Sequence, residues 1–129
     1  MIDLHTHTTF SDGTDTPTQL INKALAAGIT TIALTDHDSI SGWQEATTAL
    51  RPGICLVPGA EVSCQTLDGI SVHILGLLFD SSNTELIETL EKTRENRFGR
   101  MEKIIAKINE AGIDISMSEV LEQLSEGAT

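Results

Sequence analysis

His5 and His7 stand two residues apart in the opening stretch DLHTHTTFSDG, with Asp12 and Gly13 just beyond. Alternate side chains of a strand share one face, so an i, i+2 pair of imidazoles can grip one ion. Three further stretches carry similar groups: Asp36, His37 and Asp38 in TDHDS, Glu61 in PGAEVS, and His73 in SVHIL. Imidazole with carboxylate and no thiolate suits Zn²⁺, Mn²⁺ or Fe²⁺, and more than four candidate ligands point to more than one ion. A carboxylate such as Glu61 can bridge two ions. Such a cluster lowers the pKa of bound water and clamps the oxygens of an in-line phosphoryl displacement, so hydrolysis of a phosphate ester is the chemistry to expect.

Each residue taken alone has a plainer reading. A lone strand histidine such as His73 is more often a hydrogen-bonded core residue than a ligand. Asp36 and Asp38 suit a turn or a helix cap, and Asp12-Gly13 is an ordinary turn dipeptide. Their coincidence favours the shared centre. Ionisable groups in apolar strands are costly to bury without partners, and here every expected strand carries at least one at comparable depth. Ser11, Ser39, Ser41 and Ser63 lie near the motifs, but none has the GxSxG context of a hydrolase nucleophile.

The elements that must position these groups alternate along the chain. MIDLHTH reads as a short strand, and Pro17 to Ala27 as a helix. Leu20, Ile21, Ala24 and Leu25 give that helix its spacing, Thr16 caps it, Pro17 opens it and Gly28 ends it. Thr30 to Asp36 is β-branched and apolar, hence a buried strand, and Ser41 to Leu50 is a moderate helix into which Trp43 packs. ICLVPGAEVS predicts a third strand, broken by Pro58 and Gly59, and ISVHILGLLF a fourth after a turn at LDG. A long helix is expected from Ser82 or Asn83 to about Ala111, then a short one from Met117 to Leu124. The order predicts an α/β protein with a largely parallel sheet, its functional groups at the carboxyl ends of the strands.

With 129 residues, 40% of them hydrophobic and 21% charged, the chain reads as one globular domain with a core. No apolar run is long enough to span a bilayer, and the N-terminus has no signal-like pattern, so no membrane association and a cytoplasmic location are the expectation. Cys55 and Cys64 are expected as buried free thiols. The net charge of −11 argues against bulk DNA binding, which rests on neutralising phosphates. A phosphate-bearing substrate needs local help. Six of the eight basic residues fall between Lys92 and Lys107 on the long helix. There Leu90, Met101, Ile104, Ile105 and Ile108 form an apolar face flanked by Lys92, Arg100, Lys103 and Lys107, with Arg94 and Arg97 inside the apolar arc. Those two arginines either snorkel or pair with Glu91 and Glu95, or Arg97, together with Arg100, forks a substrate phosphate.

DLHTHTTFSDG, GITTIALTDHDSISG, PGAEVS and VHILGL, in that order, closely resemble the N-terminal half of the PHP family, the polymerase and histidinol phosphatase superfamily. Within it, the helix ENRFGRMEKIIAKINEAGI and the tail EGAT are similar to the bacterial 3′,5′-nucleotide bisphosphate phosphatases that also trim RNA from the 5′ end. The resemblance implies a distorted seven-stranded β/α barrel, TIM-barrel-like, with two or three divalent ions (Mn, Zn or Fe). Residues 1–80 would carry the metal motifs, and residues 81–129 would begin an inserted or capping region. His5 and His7 match ligands of a first ion, Glu61 the bridge between the first and second, His73 a ligand of the second, and Asp12 and His37 ligands of a third. Asp36 and Asp38, which flank His37, are expected to be turn residues or to orient its imidazole, as carboxylates commonly do. Glu61, His7 and His37 would then be the catalytic group and Arg97 and Arg100 the substrate-binding pair.

The family's later ligands have no counterpart here, so the expectation is that the polypeptide continues past Thr129 or that another chain completes the barrel. The expected activity is metal-dependent hydrolysis of a small phosphorylated substrate, a nucleoside 3′,5′-bisphosphate or an RNA 5′ end, by a metal-activated hydroxide. Alternatives are a histidinol-phosphate phosphatase, a polymerase-associated nuclease, and a non-catalytic fragment that binds metal or a partner.

Overall fold

The computed structural model describes residues 1–123. Four strands and four helices follow one another as β1 (Ile2–Thr6), α1 (Pro17–Ala26), β2 (Thr31–Leu34), α2 (Trp43–Ala49), β3 (Cys55–Gln65), β4 (Ser71–Leu77), α3 (Thr84–Glu110) and α4 (Met117–Leu121). The expected α4 residue Leu124 and the EGAT tail lie outside the described residues.

The strands form one sheet in the order β1-β2-β3-β4. β1, β2 and β3 run parallel, whereas β4 pairs antiparallel with β3 from Gly59↔Leu77 to Gln65↔Ser71. The largely parallel expectation therefore holds for the two pairings joined by helical crossovers. Between β3 and β4 only the short LDG turn intervenes, and a short turn can join only antiparallel neighbours.

That change of partner also corrects the expected break in the third strand. β3 is continuous, and Pro58 stands where its pairing passes from β2 to β4: Leu34 pairs with Pro58, and Gly59 with Leu77. Proline has no N–H to give a ladder, so it is tolerated where one ladder ends and the next begins. Gly59 has a different reason. A Cβ there would lie 2.7 Å from the Gly76 carbonyl oxygen, so the close approach of β4 needs a residue without a side chain.

α1 starts as its residues dictate. The Thr16 side chain accepts from the Gln19 N–H, the Gln19 side chain accepts from the Thr16 N–H, and Pro17 occupies the first turn. Ile21 and Ala24 from α1, Ile32 and Leu34 from β2, Ala46 and Ala49 from α2, and Ile54 form the buried core. Trp43 packs against it and donates its Nε1–H to the Gly59 carbonyl at 2.9 Å.

Burial stops short of two expectations. Cys55 is exposed and Cys64 half-buried, because only the centre of β3 lies beneath covering residues; both thiols are free. On α3 only Leu90 and Ile105 are buried, and Ile104 is 47% exposed, so the apolar arc is covered in part. No described helix is long and apolar enough to cross a membrane.

Candidate metal centre

The loop after β1 is shaped by a carboxylate that the sequence assigns to another task. Asp36, buried just past β2, accepts from the Thr8 N–H (2.7 Å), the Thr8 hydroxyl (2.7 Å) and the Ser11 hydroxyl (2.6 Å). It does not orient the His37 ring. Three donors converge on it because residues 8–11 fold back against the end of β2, and a buried carboxylate persists only when so satisfied. Gly13 then closes the loop: its N–H donates to the Thr8 carbonyl at 2.9 Å, and a Cβ at that position would stand 2.4 Å from the His7 carbonyl oxygen. The turn returns Asp12 to the end of β1, where Asp12 Oδ1 lies 3.3 Å from His7 Nδ1.

His37 reaches the same place by backbone pairing. The Glu61 N–H donates to the Asp36 carbonyl at 3.2 Å and the Asp38 N–H to the Glu61 carbonyl at 3.0 Å, a one-residue bridge that sets His37 beside Glu61. His73 arrives across the hairpin, from β4. The result gathers four imidazoles, with successive ring centroids 5.1, 4.7 and 5.0 Å apart along His5, His7, His37 and His73.

Glu61 is the centre of this group. Its Oε2 lies 2.8 Å from His5 Nε2, 3.0 Å from His7 Nε2 and 3.8 Å from His37 Nε2, while its Oε1 lies 2.9 Å from His73 Nδ1. Asp12 Oδ2 stands 3.5 Å from His37 Nε2 on the other flank. Three overlapping donor sets follow: His5, His7 and Glu61; His7, Asp12 and His37; His37, Glu61 and His73. A tetrahedral ion with bonds of about 2.0–2.1 Å needs neighbouring donors ~3.3 Å apart. The distances present straddle that value, and every donor is an imidazole nitrogen or a carboxylate oxygen, so the residues fit divalent cations.

The electrostatics point the same way. Burial lowers the pKa of His37 against the opposing pull of Glu61 and Asp12, so the neutral, ligating imidazole is the resting form near neutral pH. Burial would raise the pKa of Glu61, but the hydrogen bond from His5 and the nearby His37, His5 and His7 outweigh it and hold the carboxyl below its ordinary value. His37 Nδ1 is buried with no hydrogen-bond partner, so no bond at Nδ1 fixes the tautomer, and Nε2 can present its lone pair.

Arg97 comes from α3 and meets the sheet beside this cluster. Its Nη2 donates to Asp38 Oδ2 at 2.8 Å and to Ser63 Oγ at 2.5 Å; Glu91 and Glu95 are not its partners. Asp38 was expected to steady the His37 ring and instead holds an arginine, a role that no local spacing could reveal. A cavity of about 540 Å³ opens there, lined by Ser63, Gln65, His73, Asn96, Arg97 and Arg100 among others. Arg94 lines a separate, smaller cavity with Asp38, Ile40, Ser41, Ile87 and Leu90, and its Nε is buried and unpartnered.

Comparison with known proteins agrees with this geometry. Residues 3–127 match the model of the PHP domain. The chain is 42% identical over 113 residues to the 3′,5′-nucleoside bisphosphate phosphatase of Chromobacterium violaceum, and 40% identical over 112 residues to a 5′-3′ exoribonuclease of Haemophilus influenzae. These alignments cover 87% and 86% of this chain but only 39% and 40% of the relatives, so the chain spans about two fifths of their length. A crystal structure from Bifidobacterium adolescentis, named as a metal-dependent phosphoesterase, superposes with a TM-score of 0.88 at 35% identity, covering 98% of this chain and 44% of the other.

Proposed function

The chain belongs to the PHP domain family, and from that premise we propose that it carries metal-ligating and substrate-binding groups of a phosphoesterase that hydrolyses a phosphate ester. The substrate class we favour is a nucleoside 3′,5′-bisphosphate or an RNA 5′ end, in keeping with what its relatives are named for. One observation carries the reading: the two oxygens of Glu61 face different histidines, Oε2 His5 and His7 at the end of β1 and Oε1 His73 from β4, so the carboxylate could serve two ions. His5 and His7 would hold the first ion, His73 the second, and Asp12 with His37 a third. Residues 1–80 supply these groups, and residues 81–129 open a capping region. Mn²⁺, Zn²⁺ or Fe²⁺ suits the donors.

When bound, the ions supply the acidity that turns water into hydroxide at neutral pH and positive charge to offset the phosphoryl oxygens. The chain's own residues do the rest. Glu61 fixes the spacing of the ligands around it, His7 and His37 each serve two donor sets, and Arg97 and Arg100 offer cationic donors to a second phosphate in the cavity. Release of inorganic phosphate from adenosine 3′,5′-bisphosphate, p-nitrophenyl phosphate and histidinol phosphate, before and after chelation, tests the reading. Turnover that favours the bisphosphate and vanishes with chelator is expected; turnover that is insensitive to chelator or indifferent to the second phosphate would overturn it.

Arg97→Ala is expected to raise KM about tenfold for the bisphosphate and far less for adenosine 3′-monophosphate, the loss of one charge-assisted contact to the remote phosphate. Arg97→Lys should rescue only in part, because an ammonium keeps the charge without the planar fork. Equal effects on both substrates would give Arg97 a purely structural role.

Affinity for Mn²⁺ is expected to fall as the pH drops, because protons compete with the cation for imidazole nitrogen. His37 should keep its neutral ring to lower pH than a free imidazole does, because its lowered pKa means that the folded state favours the neutral form. Calorimetric titration with Mn²⁺ across about pH 5.5–8, with histidine protonation followed by NMR, checks both statements. A pH-independent affinity would remove the histidines from the site.

A further inference from the structure

Arg97 reaches the cavity with one corner already engaged. Its Nη2 is shared by Asp38 and Ser63, while among the described residues its Nε and Nη1 donate to no protein acceptor. Asp38 is itself held from several sides. Its carboxylate is wholly buried, its Oδ1 accepts from the Ser63 N–H at 2.8 Å, and its own N–H donates to the Glu61 carbonyl at 3.0 Å. The backbone there is left-handed, with φ 49, a conformation that Asp and Asn tolerate better than most side chains. The anchor of Arg97 is thus one residue from His37 in sequence, and its partners on β3 are Glu61 and Ser63, the bridging candidate and the residue two beyond it.

We propose that Asp38 is a positioning residue for substrate recognition: it ties Arg97 of α3 to the turn and strand that carry His37 and Glu61. The distance between the reacting phosphate and the second phosphate is thereby set. This rests on the reading of Arg97 as a phosphate-holding arm and goes beyond it, because Asp38 touches neither substrate nor metal ligand side chain. A free arginine on an exposed helix samples many rotamers, and ordering it when substrate binds costs affinity. Asp38 pre-orders it. The selectivity for substrates with two phosphates then resides in a buried carboxylate as much as in the arginine.

The test uses the Mn²⁺-loaded protein and two substrates that share a reacting group, adenosine 3′,5′-bisphosphate and adenosine 3′-monophosphate. Asp38→Asn keeps the left-handed backbone and one oxygen for the Ser63 N–H but removes the charge that holds Arg97. It should raise KM for the bisphosphate about tenfold, the scale of a hydrogen bond between charged groups, and move kcat less than KM. For the monophosphate the rise should be several times smaller. Ser63→Ala, which removes only the second acceptor, should shift the same ratio in the same direction by less. In an Arg97→Ala background Asp38→Asn should add little, since both act through one contact.

Dissociation constants of the bisphosphate from calorimetry give the same ratios without turnover, and thermal melts identify a variant that has lost its fold. An equal rise for both substrates, or a full Asp38→Asn effect in the Arg97→Ala background, would overturn the proposal while leaving Arg97 as a phosphate arm. An Arg97→Ala variant with unchanged bisphosphate affinity would instead remove the arm, and the positioning role with it.

Discussion

Glu61→Gln is expected to cut kcat on the order of a thousandfold, the scale seen when one preorganised charge-stabilising group is lost from a catalytic site. The reason lies in the two-sided geometry. A glutamine fills the same space but has one acceptor oxygen and one NH₂, and Glu61 uses both of its oxygens on imidazole nitrogens, Oε2 at 2.8 and 3.0 Å and Oε1 at 2.9 Å. Whichever way the amide turns, a donor faces nitrogens that must offer lone pairs to a cation, and the negative charge between the donor sets is gone. Metal content should fall together with turnover. Cys55→Ala, at an exposed residue away from the cluster, serves as the control. Should Glu61→Gln keep its full metal complement and lose less than about tenfold in kcat, Glu61 is no bridge.

Asp36→Ala should destabilise the fold by about 3–5 kcal/mol and loosen the loop that carries Asp12, because it leaves three buried donors of that loop without their acceptor. Thr8 is fully buried and Ser11 is 3% exposed, so water cannot readily replace the carboxylate. Asp36→Asn should cost less: it retains an oxygen for the Thr8 N–H and the Ser11 hydroxyl, and the Thr8 hydroxyl can turn to accept from the new NH₂. Urea unfolding of the three proteins measures the order. A loss below about 1 kcal/mol for Asp36→Ala, the level of an ordinary surface change, would mean that the loop holds its shape without this network. Metal affinity should weaken in the same order, since residues 8–13 carry Asp12 back to His7.

These two carboxylates mark the boundary between what the sequence displays and what it conceals. The spacing of His5 and His7 places them on one face of a strand whatever the rest of the chain does, because the side-chain period of a strand is two. The cap at Thr16, the proline at the first turn of α1, the helical spacing through Leu25 and the turn at Asp12-Gly13 are equally local, and each is found where its residues place it. The four stretches with candidate ligands could be recognised because their residue types are unusual for apolar strands, and the PHP domain match covers the same stretches.

What the tertiary structure decided is partnership. Asp36, His37 and Asp38 are consecutive, yet they face the β1 loop, the histidine cluster and α3 respectively, and no local rule separates them. Pro58 reads as a strand breaker until β3 is seen to change neighbours at that residue. Arg97 lies in the apolar arc of its helix, and only the position of α3 against β3 gives it Asp38 and Ser63 instead of Glu91 and Glu95. Periodicity and capping act within a few residues, so the sequence by itself determined the elements and the kinds of donor they bear. Which carboxylate meets which cation or hydroxyl depends on strand register and helix placement, which arise from the packing of residues far apart in the chain, and that was settled only when the chain folded.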